Sequence, residues 1–393
     1  MGLKPLRLAI LSPINRDPKV GNGGIAPFVI NLAEDCAKEG ILVDLLQFTN
    51  KTPYYTPNSA NVRLVSLGEV PKLYAAFRLA RYLKRKKPVA LLAAGGRANM
   101  VAGFAKRFFD QDIPVWLGIH TTLSESLAQE TYLKRLSNTC IMRLAYSAAD
   151  GLIAVSKGVA EDLTQLGLTD KARIHVIYNP VVQPSLYEKA QAPIEHPWFD
   201  EKIPLILAAG RLMHHKGFSV LIEAFALLRQ RQKCRLLILG EGKTRPLLEE
   251  QVQRLGLKDD VDMPGLVPNP YPYMAHADLL VLSSTREGLP TVLIEAMALG
   301  VPVVATDCPS GPREILEDGK YGMLVPMNDA SRLADAMEKT LANPPTVAFL
   351  QEGVKRFMVS SSAQSYRKLL FSKIPPKHNE NHRVIGKHLR LWR

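Results

Sequence analysis

The chain has 393 residues, 47% of them hydrophobic and 22% charged, and 50 Lys plus Arg against 37 Asp plus Glu leave a formal net charge of +13. That length exceeds one ordinary domain and suits two of about 150 to 200 residues with full cores, and the four cysteines without C-x-x-C spacing argue for a reducing compartment and against a structural metal site. No apolar run approaches the roughly 18 residues of a membrane span and Leu8 to Leu11 is too short for a signal core, so the sequence reads as cytoplasmic, with a basic surplus suited to nucleic acid or a membrane surface.

Leu6 to Leu11 reads as a first strand, and the loop Ser12 to Gly24 leads through Gly21, Gly23 and Gly24 into a helix from Ile25 to Lys38. Strand, glycine-rich loop and helix form phosphate-cradle geometry, although the dinucleotide spacing G-x-G-x-x-G is absent. Strands follow near Leu42 to Leu46, Val62 to Val65, Val89 to Ala93 and Pro114 to Ile119, with helices between them, the pattern of a parallel sheet covered on both faces. The helix Lys72 to Lys87 carries Arg78, Arg81, Lys84, Arg85, Lys86 and Lys87 beside Leu73, Tyr74, Phe77, Leu79, Tyr82 and Leu83. Such a basic amphipathic helix suits either anionic headgroups or packing on the sheet with a solvated outer face. His120 stands where a strand meets a loop, an address at which ligand groups collect. Glu125 to Ser147 reads as one long helix, Leu152 to Val155 as a strand, Ser156 and Glu161 as the opening of a helix, and Ile174 to Ile177 as the last strand of this half.

Asn179-Pro180 marks a hinge, and 181–202, with Pro184, Pro193 and Pro197, reads as an interdomain linker. A second α/β series opens with the strand Leu205 to Ala209, and Gly210 to Gly217 leads into the helix Phe218 to Leu228, which puts Arg211 and Lys216 beside one helix N-terminus. Arg235 to Leu239 is a strand before the tight turn Gly240-Glu-Gly242, and Val261 to Val267 is another. Leu279 to Leu282 then reads as a buried strand, Glu287 falls in the loop after it, Pro290 opens a helix that contains Glu295, and Gly300 stops that helix before a strand Val301 to Ala305. A helix end of this kind welcomes a phosphate, while two ionised glutamates accept hydrogen bonds from hydroxyl-rich groups such as a sugar or ribose. Asp329 to Leu341 is a closing helix, Val347 to Phe371 a helical pair, and Lys373 to Arg393 a basic tail.

Glu287-Gly-Leu-Pro, Glu295, Gly300-Val-Pro-Val-Val and Gly311-Pro-Arg-Glu, with Gly210-Arg and Lys216-Gly upstream, resemble the signature of the retaining GT-B glycosyltransferases of family 4. The resemblance covers nearly the whole chain, most specifically Ala208 to Leu341. It implies an α/β fold of two Rossmann-like domains facing across a cleft: 1–180 for the acceptor, a linker at 181–202, 203–345 for a nucleotide-sugar, and helices at 346–372 that cross back to the first domain before the tail at 373–393.

On this resemblance the donor lies on the second domain. Arg211 and Lys216 hold its diphosphate, Glu287 with the Gly288 and Leu289 backbone and Pro290 orients the sugar, Glu295 accepts from the ribose, and Gly242 and Val267 lie near phosphates and base. Gly24 lies near the diphosphate and the acceptor, and His120 reaches the donor sugar across the cleft, so Glu287, His120, Arg211 and Lys216 form the catalytic set. Attack on the face that the diphosphate leaves makes catalysis a matter of positioning and leaving-group charge. The nucleotide-sugar is a substrate, and the resemblance implies neither a cofactor nor a metal, a paired-aspartate metal site belonging to nucleotide-sugar enzymes of another fold. The acceptor expected is a hydroxyl of a saccharide or polyprenyl-diphosphate-linked glycan in surface polysaccharide or glycolipid synthesis, at the inner face of the plasma membrane where the basic helix would dock. Two other readings stay open: a sugar-nucleotide epimerase or hydrolase on the same architecture, and a basic membrane or nucleic-acid binding module. Against nucleic acid, Glu287 and Glu295 would repel a phosphate backbone and no stacking motif is visible.

Overall fold

The computed structural model describes residues 5–13, 25–49, 55–109, 112–128 and 130–373. The first half runs β1 (Arg7–Leu11), α1 (Ile25–Lys38), β2 (Leu42–Gln47), β3 (Val62–Ser66), α2 (Lys72–Lys86), β4 (Ala90–Ala94), α3 (Gly96–Phe108), β5 (Val115–Ile119), α4 (Ser124–Ala128), α5 (Tyr132–Tyr146), β6 (Gly151–Ala154), α6 (Lys157–Leu166) and β7 (Ile174–Val176). After α7 (Pro184–Ala190) come β8 (Leu205–Ala209), α8 (Phe218–Arg231), β9 (Arg235–Leu239), α9 (Arg245–Arg254), β10 (Val261–Gly265), α10 (Tyr271–Ala275), β11 (Leu279–Leu282), α11 (Thr291–Ala298), β12 (Val303–Thr306), α12 (Pro312–Ile315), β13 (Met323–Val325) and α13 (Ala330–Ala342). Two helices close the series, α14 (Val347–Gly353) and α15 (Val359–Leu370).

Among the described residues the strands form two sheets in the orders β3-β2-β1-β4-β5-β6-β7 and β10-β9-β8-β11-β12-β13, with parallel neighbours throughout. The apolar runs of β4, β5 and β11 are buried along their whole length, because helices cover both faces of a parallel sheet. The strand order reverses between β1 and β4 in one sheet and between β8 and β11 in the other. The crevice beyond the carboxyl ends at such a reversal is where α/β sheets bind ligands.

The two sheets are joined by a double crossing of the chain. The Val181 and Val182 N–H groups both donate to the Phe357 carbonyl at 3.0 Å, and Val359 N–H donates to the Val182 carbonyl at 2.9 Å. Beyond this crossing α15 returns to the first domain, where Tyr366 packs on Phe28 with ring centroids 5.3 Å apart and Arg367 pairs with Asp35.

Several sequence expectations need correction. The long helix at 125–147 is two helices, α4 and α5, with Thr131 in extended geometry ahead of α5. The linker segment 181–202 carries structure of its own: it contains α7, with Pro184 at its start and Leu186 buried, and a short 3-10 turn over Pro197–Asp200. Of the closing pair, only α15 packs on the first domain, since α14 lies against α11 of the second. The strands expected to end at Val267 and to begin at Val301 end at Gly265 and begin at Val303. Helix α2 stops at Lys86, with Lys87 as a left-handed cap at φ 44°.

Candidate active site

The loop after β8 carries Lys216, and the loop after β11 carries Glu287. Gly217, at φ 64°, lies where a Cβ would collide with the Ser283 carbonyl, so glycine lets the two loops touch. The contact is stitched by Ser283 Oγ donating to the Lys216 carbonyl at 2.8 Å and by Thr285 N–H donating to the His215 carbonyl at 2.8 Å. In consequence Lys216 Nζ lies 2.6 Å from Glu287 Oε1, with side chains 17% and 11% exposed, and Ser284 Oγ donates to the same oxygen at 2.7 Å. Ser284, three residues before Glu287, is a site contributor that the sequence reading missed.

Arg211 is exposed, and no ion-pair partner of it is seen among the described residues. His215 is held down to about 4, first by burial and then by Lys216, Arg286 and Arg211 around it, so it is neutral beside three cations. Gly242 lies where a Cβ would strike the Leu212 carbonyl, which brings the turn after β9 onto the Arg211 loop. Leu289 and Pro290 are buried, Val267 is half-buried, and α11 starts at Thr291 with no side-chain cap on its free N–H groups. Glu295, one turn into α11, accepts from the Tyr271 hydroxyl at 3.4 Å, and burial raises its carboxyl to about 7. Tyr271, which supplies this hydroxyl, is a second contributor outside the site residues expected from the sequence.

The first domain meets this loop at Gly288, where a Cβ would collide with the His120 carbonyl. The His120 ring lies 4.9 Å from the Phe28 ring, neither nitrogen has a partner among the described residues, and burial lowers it to about 4. Burial therefore favours the neutral imidazole, which offers one donor and one acceptor nitrogen. Glu125, on the same side, accepts from Thr122 Oγ1 at 3.2 Å and lies 3.7 Å from Arg286 Nε across the cleft. Burial raises its carboxyl, against the Thr122 hydrogen bond and Arg286. The sequence reading missed this cross-cleft pair. Gly24 lies outside the described residues.

The structure thus brings Lys216, Glu287, Gly288 and the His120 backbone together, with Arg211, Gly242 and Glu295 around them. It does not bring the basic residues of α2 there. Of those, Arg78 donates to the Leu67 carbonyl at 2.8 Å and lies over the Tyr74 ring, so it is engaged within the domain, while Arg81, Lys84 and Arg85 are exposed.

The family model described as Glycosyl transferases group 1 matches residues 194–356, and that described as Glycosyltransferase Family 4 matches residues 22–182. A Campylobacter jejuni N-acetylgalactosamine-N,N'-diacetylbacillosaminyl-diphospho-undecaprenol 4-alpha-N-acetylgalactosaminyltransferase is 32% identical over 245 residues, 62% of this chain and 65% of that protein. The chain thus spans just under two thirds of that relative. A lipopolysaccharide core biosynthesis glycosyltransferase of Rhizobium meliloti is 32% identical over 237 residues, 59% of this chain and 67% of that protein. The structure of Anabaena HepE in complex with UDP and glucose superposes with a TM-score of 0.75 at 22% identity, covering 93% of this chain and 100% of that one. The fold is therefore GT-B, and the chain belongs to the family 4 glycosyltransferases.

Proposed function

We propose that this protein is a metal-independent retaining glycosyltransferase that moves a hexose or N-acetylhexosamine from a UDP-linked donor to a hydroxyl of a lipid-linked saccharide in surface polysaccharide synthesis. The observation that carries the reading is the close Lys216–Glu287 pair at the sheet reversal beside an uncapped helix. An arriving diphosphate competes with Glu287 for the ammonium, and the glutamate so released accepts from the sugar hydroxyls. Leaving-group charge falls to Lys216, Arg211 and the α11 N-terminus, and Glu295 with Tyr271 suits the ribose. A fold relative carrying UDP and glucose, and relatives named for undecaprenol-linked and lipopolysaccharide synthesis, support the choice of donor and acceptor class.

The test is a thermal-shift panel with UDP, GDP, ADP and their common sugar conjugates in the presence of chelator. Ligand at about 100 times Kd adds roughly 2.7 kcal/mol, so UDP and one UDP-sugar should raise the melting temperature. A shift with another base replaces the donor, and no shift with any nucleotide overturns the reading.

We also propose a peripheral membrane face. Helices α2, α3 and α5 lie side by side and contain Lys and Arg but no Asp or Glu. Between α2 and the end of α3, Phe77, Ala80, Arg81, Lys84, Arg85 and Phe109 line an open cup of about 420 Å³. Leu73, Tyr74, Phe108, Tyr132 and Leu133 are exposed on these helices, although Ala75, Leu79, Tyr82 and Leu83 of α2 pack on the sheet. The inner face of α2 is thus packed, and the two sequence readings differ only over what its outer face meets. Replacing Arg81, Lys84 and Arg85 together by Glu should abolish sedimentation with anionic liposomes, since each surface cation contributes about 1 kcal/mol, and leave donor hydrolysis in solution unchanged. Undiminished sedimentation would mean a solvated face only.

A further inference from the structure

The first turn of α6 belongs to the first domain, yet the second domain caps it. Lys157 N–H donates to both oxygens of Glu314, at 2.9 and 3.0 Å, and Gly158 N–H lies 3.5 Å from Oε1. Val159 N–H donates to Ser156 Oγ at 3.2 Å, so the free N–H groups of that turn are accounted for between one hydroxyl of their own domain and one carboxylate of the other. Tyr178, beside the hinge, adds its hydroxyl to Glu314 Oε2 at 2.9 Å, and burial together with Glu314 pushes its phenol up to about 12.

A second chain of contacts starts at the same place. The Ser156 and Ser310 hydroxyls share a hydrogen bond of 2.8 Å, and Ser310 Oγ donates to the Gly288 carbonyl at 2.8 Å. Each hydroxyl has one proton, so Ser156 donates to Ser310 and Ser310 to Gly288, and the relay runs from the α6 backbone to the loop that carries Glu287. Both serines are buried. On its other side Gly288 abuts the His120 carbonyl, so the loop is held from two directions by groups that the first domain supplies or braces.

We infer that closure of the cleft assembles the donor-sugar loop, with Glu314 and Ser310 as positioning residues that order the Glu287 to Pro290 backbone only when the α6 N-terminus grips them. Arg211 and Lys216, the two cations offered to the donor's diphosphate, both lie on the second domain, so an open molecule still binds the nucleotide but leaves its sugar loosely held. This rests on the nucleotide-sugar reading for what the loop holds, but not for the closure itself.

The experiment compares wild type with Glu314→Ala, Ser310→Ala and the conservative Glu314→Gln. Three readouts are taken: small-angle scattering without ligand, hydrogen exchange of the peptide spanning 285–293, and calorimetric Kd for UDP. Glu314→Ala should increase the radius of gyration, and both alanine variants should raise exchange of that peptide about tenfold while peptides from β8 and β11 stay protected. Glu314→Gln, which keeps one acceptor oxygen, should fall between. The Kd for UDP should stay within about twofold of wild type. Unchanged scattering and exchange in both alanine variants would overturn the inference, and so would a rise in exchange spread equally over β8 and β11, which would make the seam merely structural. A wild type that fails to bind UDP overturns the donor reading instead, and the two ligand-free readouts still decide closure.

Discussion

Replacing Glu287 by Gln, or Lys216 by Ala, should each lower turnover about 10²- to 10³-fold, the loss seen when one preorganised electrostatic contact is taken from a reacting centre. The two variants should differ in everything else. Gln keeps the shape and an acceptor for the Lys216 ammonium, so Glu287→Gln should melt near wild type and bind UDP with little change. Lys216→Ala removes a cation from the diphosphate and leaves Glu287, 11% exposed, with Ser284 as its remaining close donor. It should therefore weaken UDP binding and destabilise the fold, by less than the roughly 3–5 kcal/mol cost of breaking a fully buried pair. Titration of UDP and steady-state transfer measured on the same preparations separate these outcomes. Near-normal turnover in both variants would remove the assignment of this pair as the reacting centre.

Glu295→Gln should trade binding against stability, with pH deciding the sign. Burial raises the Glu295 carboxyl from 4.5 to about 7. The neutral form is the one that the free fold prefers. The stability it contributes is complete below 4.5 and is lost as pH rises through 7, because the folded state must then ionise a desolvated carboxyl. Gln imitates the neutral acid, so the variant should match wild type near pH 4 and exceed it near pH 8, by at most about 3 kcal/mol. A ribose diol is best met by the two charged acceptor oxygens of the ionised form, of which the neutral acid and Gln each keep one uncharged acceptor. Nucleotide affinity of the wild type should therefore fall as pH drops below 7, and Glu295→Gln should bind UDP weakly at every pH. Parallel melting curves for the two proteins from pH 5 to 8 would dispose of this account.

What the sequence disclosed depended on whether a feature was local. The strands that flank the site are short apolar runs closed by Gly, Pro or Ser, and β8, β9 and β11 lie where that pattern placed them. Lys216 and Glu287 could be paired only by resemblance, because 71 residues separate them and the contact depends on Gly217 meeting Ser283. The strand β13 escaped notice because its apolar run, Met323-Leu324-Val325, is only three residues long. The break before α5 was hidden by continuous helical periodicity on both sides. The Glu314 seam had no local signal of any kind: its carboxylate caps a helix 157 residues earlier, and within its own motif it reads as one more surface acid.

The return of α15 has a consequence for how the protein is made. Ala363, Tyr366 and Leu370 are buried in the same cluster as Phe28, Val29 and Leu32 of α1. While the first domain leaves the ribosome, the partner for that face of α1 has not been synthesised, and an apolar groove stands open until the second domain has been translated. Folding in the cell therefore finishes where it started, at α1, and a chain stalled before Val359 exposes a surface that chaperones recognise.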